Sequence, residues 1–169
     1  ALEGFEFVTR FDPVTRHRIR ADNRWQLLGS PKCRWNAPKE WLVPAPICYC
    51  VGAGEDISFD IAAAEEYDAR VYIFDPTPRA ISYFKSLGSA ADAIEDFREC
   101  AIWGEDSEVD LYVPADPQHV SHSIVNIQRT GESIRVKARR LDGLMREYGH
   151  TRVDLLKLDV EGAEYAIIR

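Results

Sequence analysis

The sequence is short of cysteine, of long apolar runs and of net positive charge. Its four cysteines, Cys33, Cys48, Cys50 and Cys100, include a single close pair, so neither a disulfide framework nor four ligands at zinc spacing is present. Free thiols in a reducing compartment, and hence a cytoplasmic protein, are the expectation. The longest uncharged run, Trp41–Gly54, is broken by Pro44, Pro46, Gly52 and Gly54 and falls short of the roughly 20 apolar residues a membrane helix needs. No basic stretch followed by an apolar one marks a secretory signal, and no internal repeat or low-complexity tract is visible. With 21 Lys and Arg against 28 Asp and Glu, the net charge of −7 speaks against tracking a nucleic-acid backbone. Neither nucleic acid nor membrane is expected as a partner.

What is present is an ordinary globular composition, 46% hydrophobic and 29% charged over 169 residues, enough for one domain with its own core. Residues 1–41 carry eight basic and five acidic side chains, the basic ones including Arg10, Arg16, Arg18, Arg20 and Arg24. Such a segment is more often a solvated lead-in than a patch for an acidic substrate. Turns at Ser30-Pro31 and Ala37-Pro38 separate it from the rest of the chain, so residues 1–45 are read as an N-terminal cap and 46–169 as the main domain.

From Pro46 the pattern is that of an α/β protein with a parallel sheet. Ile47–Val51 is continuously apolar, as a strand buried on both faces should be. Gly52-Ala53-Gly54 ends it, and a helix is expected over 57–67. A second buried strand, 70–75, is broken by Pro76-Thr77-Pro78 and followed by a helix to Leu87. A third strand is expected at 97–103. Residues 109–113 and 133–138 alternate apolar with polar and read as an inserted antiparallel pair. A helix over 141–148, a fourth buried strand at 153–160 (VDLLKLDV) and the start of a helix at Glu161 complete the pattern.

In such sheets ligands bind beyond the carboxyl ends of the strands, near the switch point. Gly52 and Gly54 fall at the first of these ends, where a missing Cβ admits close approach of a ligand. Asp75, at the end of the second strand and 21 residues beyond Gly54, is placed to accept hydrogen bonds from a ribose diol. Together they point to a nucleoside-containing cofactor. A dinucleotide loop wants a third glycine where this chain has Ile57, and a pyrophosphate would meet Glu55 and Asp56. S-adenosyl-L-methionine, with cationic groups and no phosphate, suits the acidic loop better than NAD.

The segments Cys50-Val51-Gly52-Ala53-Gly54-Glu55-Asp56-Ile57-Ser58-Phe59-Asp60, Val71-Tyr72-Ile73-Phe74-Asp75-Pro76-Thr77-Pro78 and Leu155-Leu156-Lys157-Leu158-Asp159-Val160-Glu161-Gly162-Ala163-Glu164 resemble the FkbM-type S-adenosylmethionine-dependent methyltransferases. The third segment is the most specific, and the resemblance spans about residues 46–169. The wider class I pattern has an acidic residue in place of Cys50 and a glycine in place of Asp56. The resemblance implies a class I, Rossmann-like methyltransferase fold, whose seven-stranded sheet would be truncated here after the fourth strand. That fourth strand would then be an exposed edge, open to oligomer formation through strand pairing.

It also implies site roles. Gly52 and Gly54 would flank the methionine part of the cofactor, with Glu55 or Asp56 at its amino group. Asp75 would take the ribose, and Thr77 in the same turn counts with the cofactor-binding residues. Ile102 and Trp103, with Glu105 or Asp106 nearby, would sit by the adenine. Asp159 ends the fourth strand beside the transferred methyl. Members of the family mostly methylate hydroxyls of sugars or polyketides, so a small-molecule or glycan acceptor is expected. A general base for such a hydroxyl contributes about 10²–10⁴ in rate. The candidates are Asp159, Glu161 and His122, with His119 beside the last. Asp159 and Glu161 are hard oxygen ligands, but no third ligand follows from the spacing, and no metal is assigned. The competing readings are an NAD-linked Rossmann oxidoreductase and a non-catalytic cofactor-binding module.

Overall fold

A computed structural model describes residues 24–40, 43–114, 123–124, 126, 130–160 and 162–168. Nine strands are assigned among them: β1 (Trp25–Leu28), β2 (Trp35–Pro38), β3 (Ile47–Val51), β4 (Arg70–Phe74), β5 (Asp96–Arg98), β6 (Ala101–Ile102), β7 (Ser107–Tyr112), β8 (Ser133–Arg139) and β9 (Leu155–Leu158). The helices are α1 (Ser58–Tyr67), α2 (Pro78–Leu87), α3 (Leu141–Tyr148) and α4 (Glu164–Ile168). The chain is mixed α/β, built around a four-stranded parallel sheet in the order β5-β4-β3-β9. Counted along the chain this is 3-2-1-4, and the order reverses between β3 and β9.

The continuous apolar runs of β3 and β4 follow from burial on both faces. Cys48, Cys50, Val71 and Ile73 face one layer, with Phe59 and Ala63 of α1 and Ala80 of α2. Tyr49, Val51, Tyr72 and Phe74 face the other, with Leu144 of α3, Ile102, Ala163 and Ile167. Among the described residues β9 pairs with β3 alone, so it is an outer strand of this sheet.

Two regions differ from the sequence expectation. The third strand is not continuous over 97–103. The Cys100 amide bonds back to the Arg98 carbonyl at 2.8 Å, a tight bend that ends β5 and starts β6 in another sheet. There β6 lies parallel to β8, beside the expected antiparallel pair β7–β8. The polar N-terminal segment, weakly periodic in sequence, forms an antiparallel hairpin, β1–β2, over 25–38. Leu28, Ala37 and Trp35 of this hairpin join the core under α1, and Gln26 bonds to the Tyr67 hydroxyl. This second neighbour explains why α1 is apolar beyond a single stripe. The basic residues Arg10, Arg16, Arg18 and Arg20 lie outside the described residues.

Below the second layer, α3 is tied to the sheet by polar contacts. Arg98 pairs with Asp96 at 2.7 Å and Glu147 at 2.8 Å, and the Tyr148 hydroxyl donates to Asp96 at 2.7 Å. His150, just beyond α3, is buried among Tyr49, Tyr72 and Tyr148, with Nδ1 2.8 Å from the Tyr49 hydroxyl. Burial, and then the nearby Arg70 charge, lower its pKa below the ordinary 6.5, against a smaller opposing effect of Glu95. Folding therefore favours the neutral ring. The resulting stabilisation is complete above 6.5 and is lost as the pH falls from there through the lower folded-state value. Denaturant midpoints are expected to drop between about pH 7.5 and about pH 5.5, and His150→Gln should flatten this slope. An unchanged slope in the variant would assign it to other groups. The depressed carboxyls Asp96 and Glu147 lose their contribution only below the ordinary carboxylate range.

Candidate functional site

The carboxyl end of β3 enters a loop that closes against its neighbours on both sides. The Gly52 amide donates to the Phe74 carbonyl of β4 at 3.0 Å, and the Asp159 amide donates to the Val51 carbonyl at 2.9 Å. Gly52 has φ +87°, and a Cβ there would lie 2.3 Å from the Asp159 carbonyl oxygen. The glycine is thus required by both conformation and space, at the point where the strand order reverses. This is the crevice in which an open α/β sheet takes its ligand.

Asp75 fastens the loop from the β4 side. One carboxylate oxygen accepts from the amides of Ala53 at 2.8 Å and Gly54 at 3.1 Å. The other accepts from the Thr77 amide at 2.8 Å and the Thr77 hydroxyl at 2.7 Å. The same hydroxyl caps α2 at the Ala80 amide, with Pro78 at the first helical position. Asp75 is only 5% exposed, and four donors use the roughly four acceptor positions a carboxylate has. A ribose diol reaching Asp75 therefore has to share or displace one of these bonds.

Asp56 stands at the N-terminus of α1. Its carboxylate accepts from the Ser58 amide at 2.9 Å and from the Ser30 hydroxyl at 2.6 Å, while the Ser30 amide donates to the Ser58 hydroxyl at 2.7 Å. The hairpin turn is thereby locked onto the loop. Partial burial works to raise the Asp56 pKa, but the bonds from Ser30 and Ser58 outweigh it, and the group sits below its ordinary value. It is ionised at neutral pH. Glu55, more exposed, pairs with Arg79 of α2. These two and Pro78, Ser82, Tyr83 and Ser86 line an open pocket of about 440 Å³ outside the loop.

On the far side of the switch point, Asp159 is exposed at the end of β9. Ile102 lies almost wholly in the core, 1% exposed, with Trp103 packed against the same cluster and bonded to the Arg139 carbonyl through its amide. Asp106 accepts from the Arg140 amide at 2.6 Å and so anchors the start of α3. Glu161, His119 and His122 lie outside the described residues.

The structure thus brings Gly52, Gly54, Asp75, Thr77 and Asp159 to one end of the sheet, with Glu55 and Asp56 beside them. It adds two residues that sequence reasoning missed. Lys157 of β9 and Asp60 of α1 are both buried and pair at 3.5 Å beneath the loop. Their signal in the sequence is a lysine inside an otherwise apolar strand and an aspartate on the core side of a helix.

A glycine loop pinned to an acidic residue at the switch point of a parallel sheet is the arrangement of an α/β protein with a crevice at the carboxyl end of its strands. The family model described as the methyltransferase FkbM domain matches residues 47–169, well over half of the chain, and the chain belongs to that family. No curated protein and no solved structure matches it. No helix among the described residues is long and apolar enough to cross a membrane.

Proposed function

We propose that the chain is an S-adenosyl-L-methionine-dependent methyltransferase that methylates a hydroxyl of a sugar, glycan or polyketide-type small molecule. Family membership supports methyl transfer in general. The choice of cofactor rests on Asp56. Its ionised carboxylate already caps the first free amide of α1, the place where a dinucleotide fold puts its pyrophosphate. A second anion there is repelled, whereas a cationic, phosphate-free cofactor is favoured. This disfavours the NAD-linked oxidoreductase.

When bound, the cofactor supplies a methyl group carried on a sulfonium. The chain's own part is to position it. Gly54 offers backbone without a side chain, held in place by Asp75, while the missing Cβ of Gly52 makes room for the Asp159 backbone, and Glu55 is the acidic group best exposed for the cofactor's amino end. Asp159 and Glu161 are the candidate bases for the acceptor hydroxyl, where orientation at contact distance supplies much of the acceleration. The net charge of −7 favours a small-molecule or glycan acceptor over nucleic acid. Four free thiols suit a reducing cytoplasm. The outer strand β9 is the route by which copies would associate, if the chain forms oligomers.

Calorimetric titration with S-adenosylmethionine and with NAD tests the cofactor assignment. Binding of the first alone is expected, and binding of NAD alone would overturn it. A non-catalytic module would bind the cofactor but turn over no acceptor in a panel of sugars and polyketides. On an accepted substrate, Asp159→Ala or Glu161→Ala is expected to slow turnover by about 10²-fold or more.

A further inference from the structure

The buried pair Lys157 and Asp60 has no place in the methyl-transfer chemistry, yet it lies directly under the loop. Lys157 is 4% exposed and Asp60 is fully buried. Burying two charges is expensive, and a well-packed apolar pair of the same volume is often as stable or more so. Stability alone is thus a weak reason for the pair. Its surroundings suggest another. The Lys157 ammonium lies 3.3 Å from the Gly52 carbonyl oxygen and 3.5 Å from Asp60. The rings of Trp35 and Phe59 flank it, each centroid 5.7 Å away. One cation therefore joins the hairpin, α1, β9 and the loop. Burial alone would lower the Lys157 pKa, but the facing Asp60 carboxylate, with Asp159 adding to it, reverses the shift and holds the ammonium charged.

We propose that Lys157, charge-balanced by Asp60, is a positioning residue that holds the Gly52 carbonyl and so keeps the Ala53 and Gly54 amides aimed at Asp75. Gly52 is then gripped at both polar atoms, its amide by β4 and its carbonyl by the side chain of β9. Register explains why β9 can do this. Lys157 pairs with Cys50, two residues before Gly52, and reaches forward under the loop, while the backbone of Asp159, just beyond β9, lies against Gly52. The consequence for the donor site rests on the reading of this loop as the S-adenosylmethionine site.

Lys157→Met alone leaves Asp60 buried without a counter-charge and is expected to unfold much of the chain. The informative variant is the double substitution Asp60→Leu with Lys157→Met, which removes both charges at similar volume. Two readouts are compared with the parent: hydrogen exchange of the Ala53 and Gly54 amides relative to that of Ile73 in β4, and the Kd for S-adenosylmethionine. A folded double variant is expected to exchange the two loop amides about tenfold faster with Ile73 unchanged, and to bind the donor about tenfold more weakly. Parental exchange at the loop in a folded double variant overturns the proposal, as does a uniform rise at all three amides. Failure of the double variant to fold also overturns it, since the pair would then serve stability. If the parent binds no S-adenosylmethionine, the donor reading fails, and the amide comparison still decides whether Lys157 holds the loop.

Discussion

Replacing Gly52 with alanine is expected to destabilise the fold by about 3–4 kcal/mol and to abolish cofactor binding. Two penalties combine. The backbone at φ +87° lies in a region that costs an L-residue about 1–2 kcal/mol. The new methyl would also sit 2.3 Å from the Asp159 carbonyl oxygen and 3.1 Å from its carbonyl carbon. Those atoms are backbone, so relief requires β9 to separate from β3 or the loop to leave Asp75. Gly131→Ala is the control, because a Cβ there meets nothing within 4 Å. It should change stability by no more than about 0.5 kcal/mol. Urea denaturation of both variants, with titration of S-adenosylmethionine, checks the pair. Equal stability of the two would mean that Gly52 and Asp159 are not in contact.

Asp75→Asn is expected to cost about 2–4 kcal/mol and to weaken cofactor binding in step with the loss of loop order. The substitution keeps the shape and removes half of the acceptor capacity. Whichever way the amide turns, two of the four donors from Ala53, Gly54 and Thr77 face an NH₂ group instead of an oxygen. Thr77→Val removes one of the four, together with the cap of α2, and should cost about 1–2 kcal/mol. The order of melting temperatures, parent above Thr77→Val above Asp75→Asn, is the test. An Asp75→Asn chain as stable as the parent would show that the loop does not depend on the carboxylate.

These two residues also show how far the site is legible in the sequence. Gly52 and Asp75 stand out because each follows a short apolar run and precedes a helix, and in a parallel sheet those junctions gather at one edge. The glycine's need for space and the number of bonds to the carboxylate are not legible, since both depend on segments distant in sequence. Asp56 shows the same limit. Its charge at a helix start is plain in the sequence, but its hold on Ser30 depends on a hairpin that the polar residues 25–38 do not announce. Trp35, Ala37 and Leu28 are too few and too scattered to give a periodic signal, yet they cover the second face of α1.

Ile102 and Trp103 make the opposite point. The family resemblance puts them beside the adenine, at the end of a strand running to 103. The bend at Cys100 moves the chain from the parallel sheet to a three-stranded one and leaves Ile102 inside the core. Nothing in the seven residues 97–103, of which Arg98 and Glu99 are charged, tells where the chain changes sheets, because the partner strands that decide it lie far away in the sequence.

By itself the sequence determined most of the elements from β3 onward, the α/β class, the acidic glycine loop and the family resemblance, each of which depends on residues close together in the chain. Tertiary structure alone decided that Asp159 closes on Gly52, that Asp75 is spent on the loop, and that Lys157 meets Asp60 across 97 positions. The reason is physical. Periodicity and turn chemistry act within a few residues, whereas these contacts are set by strand order and register.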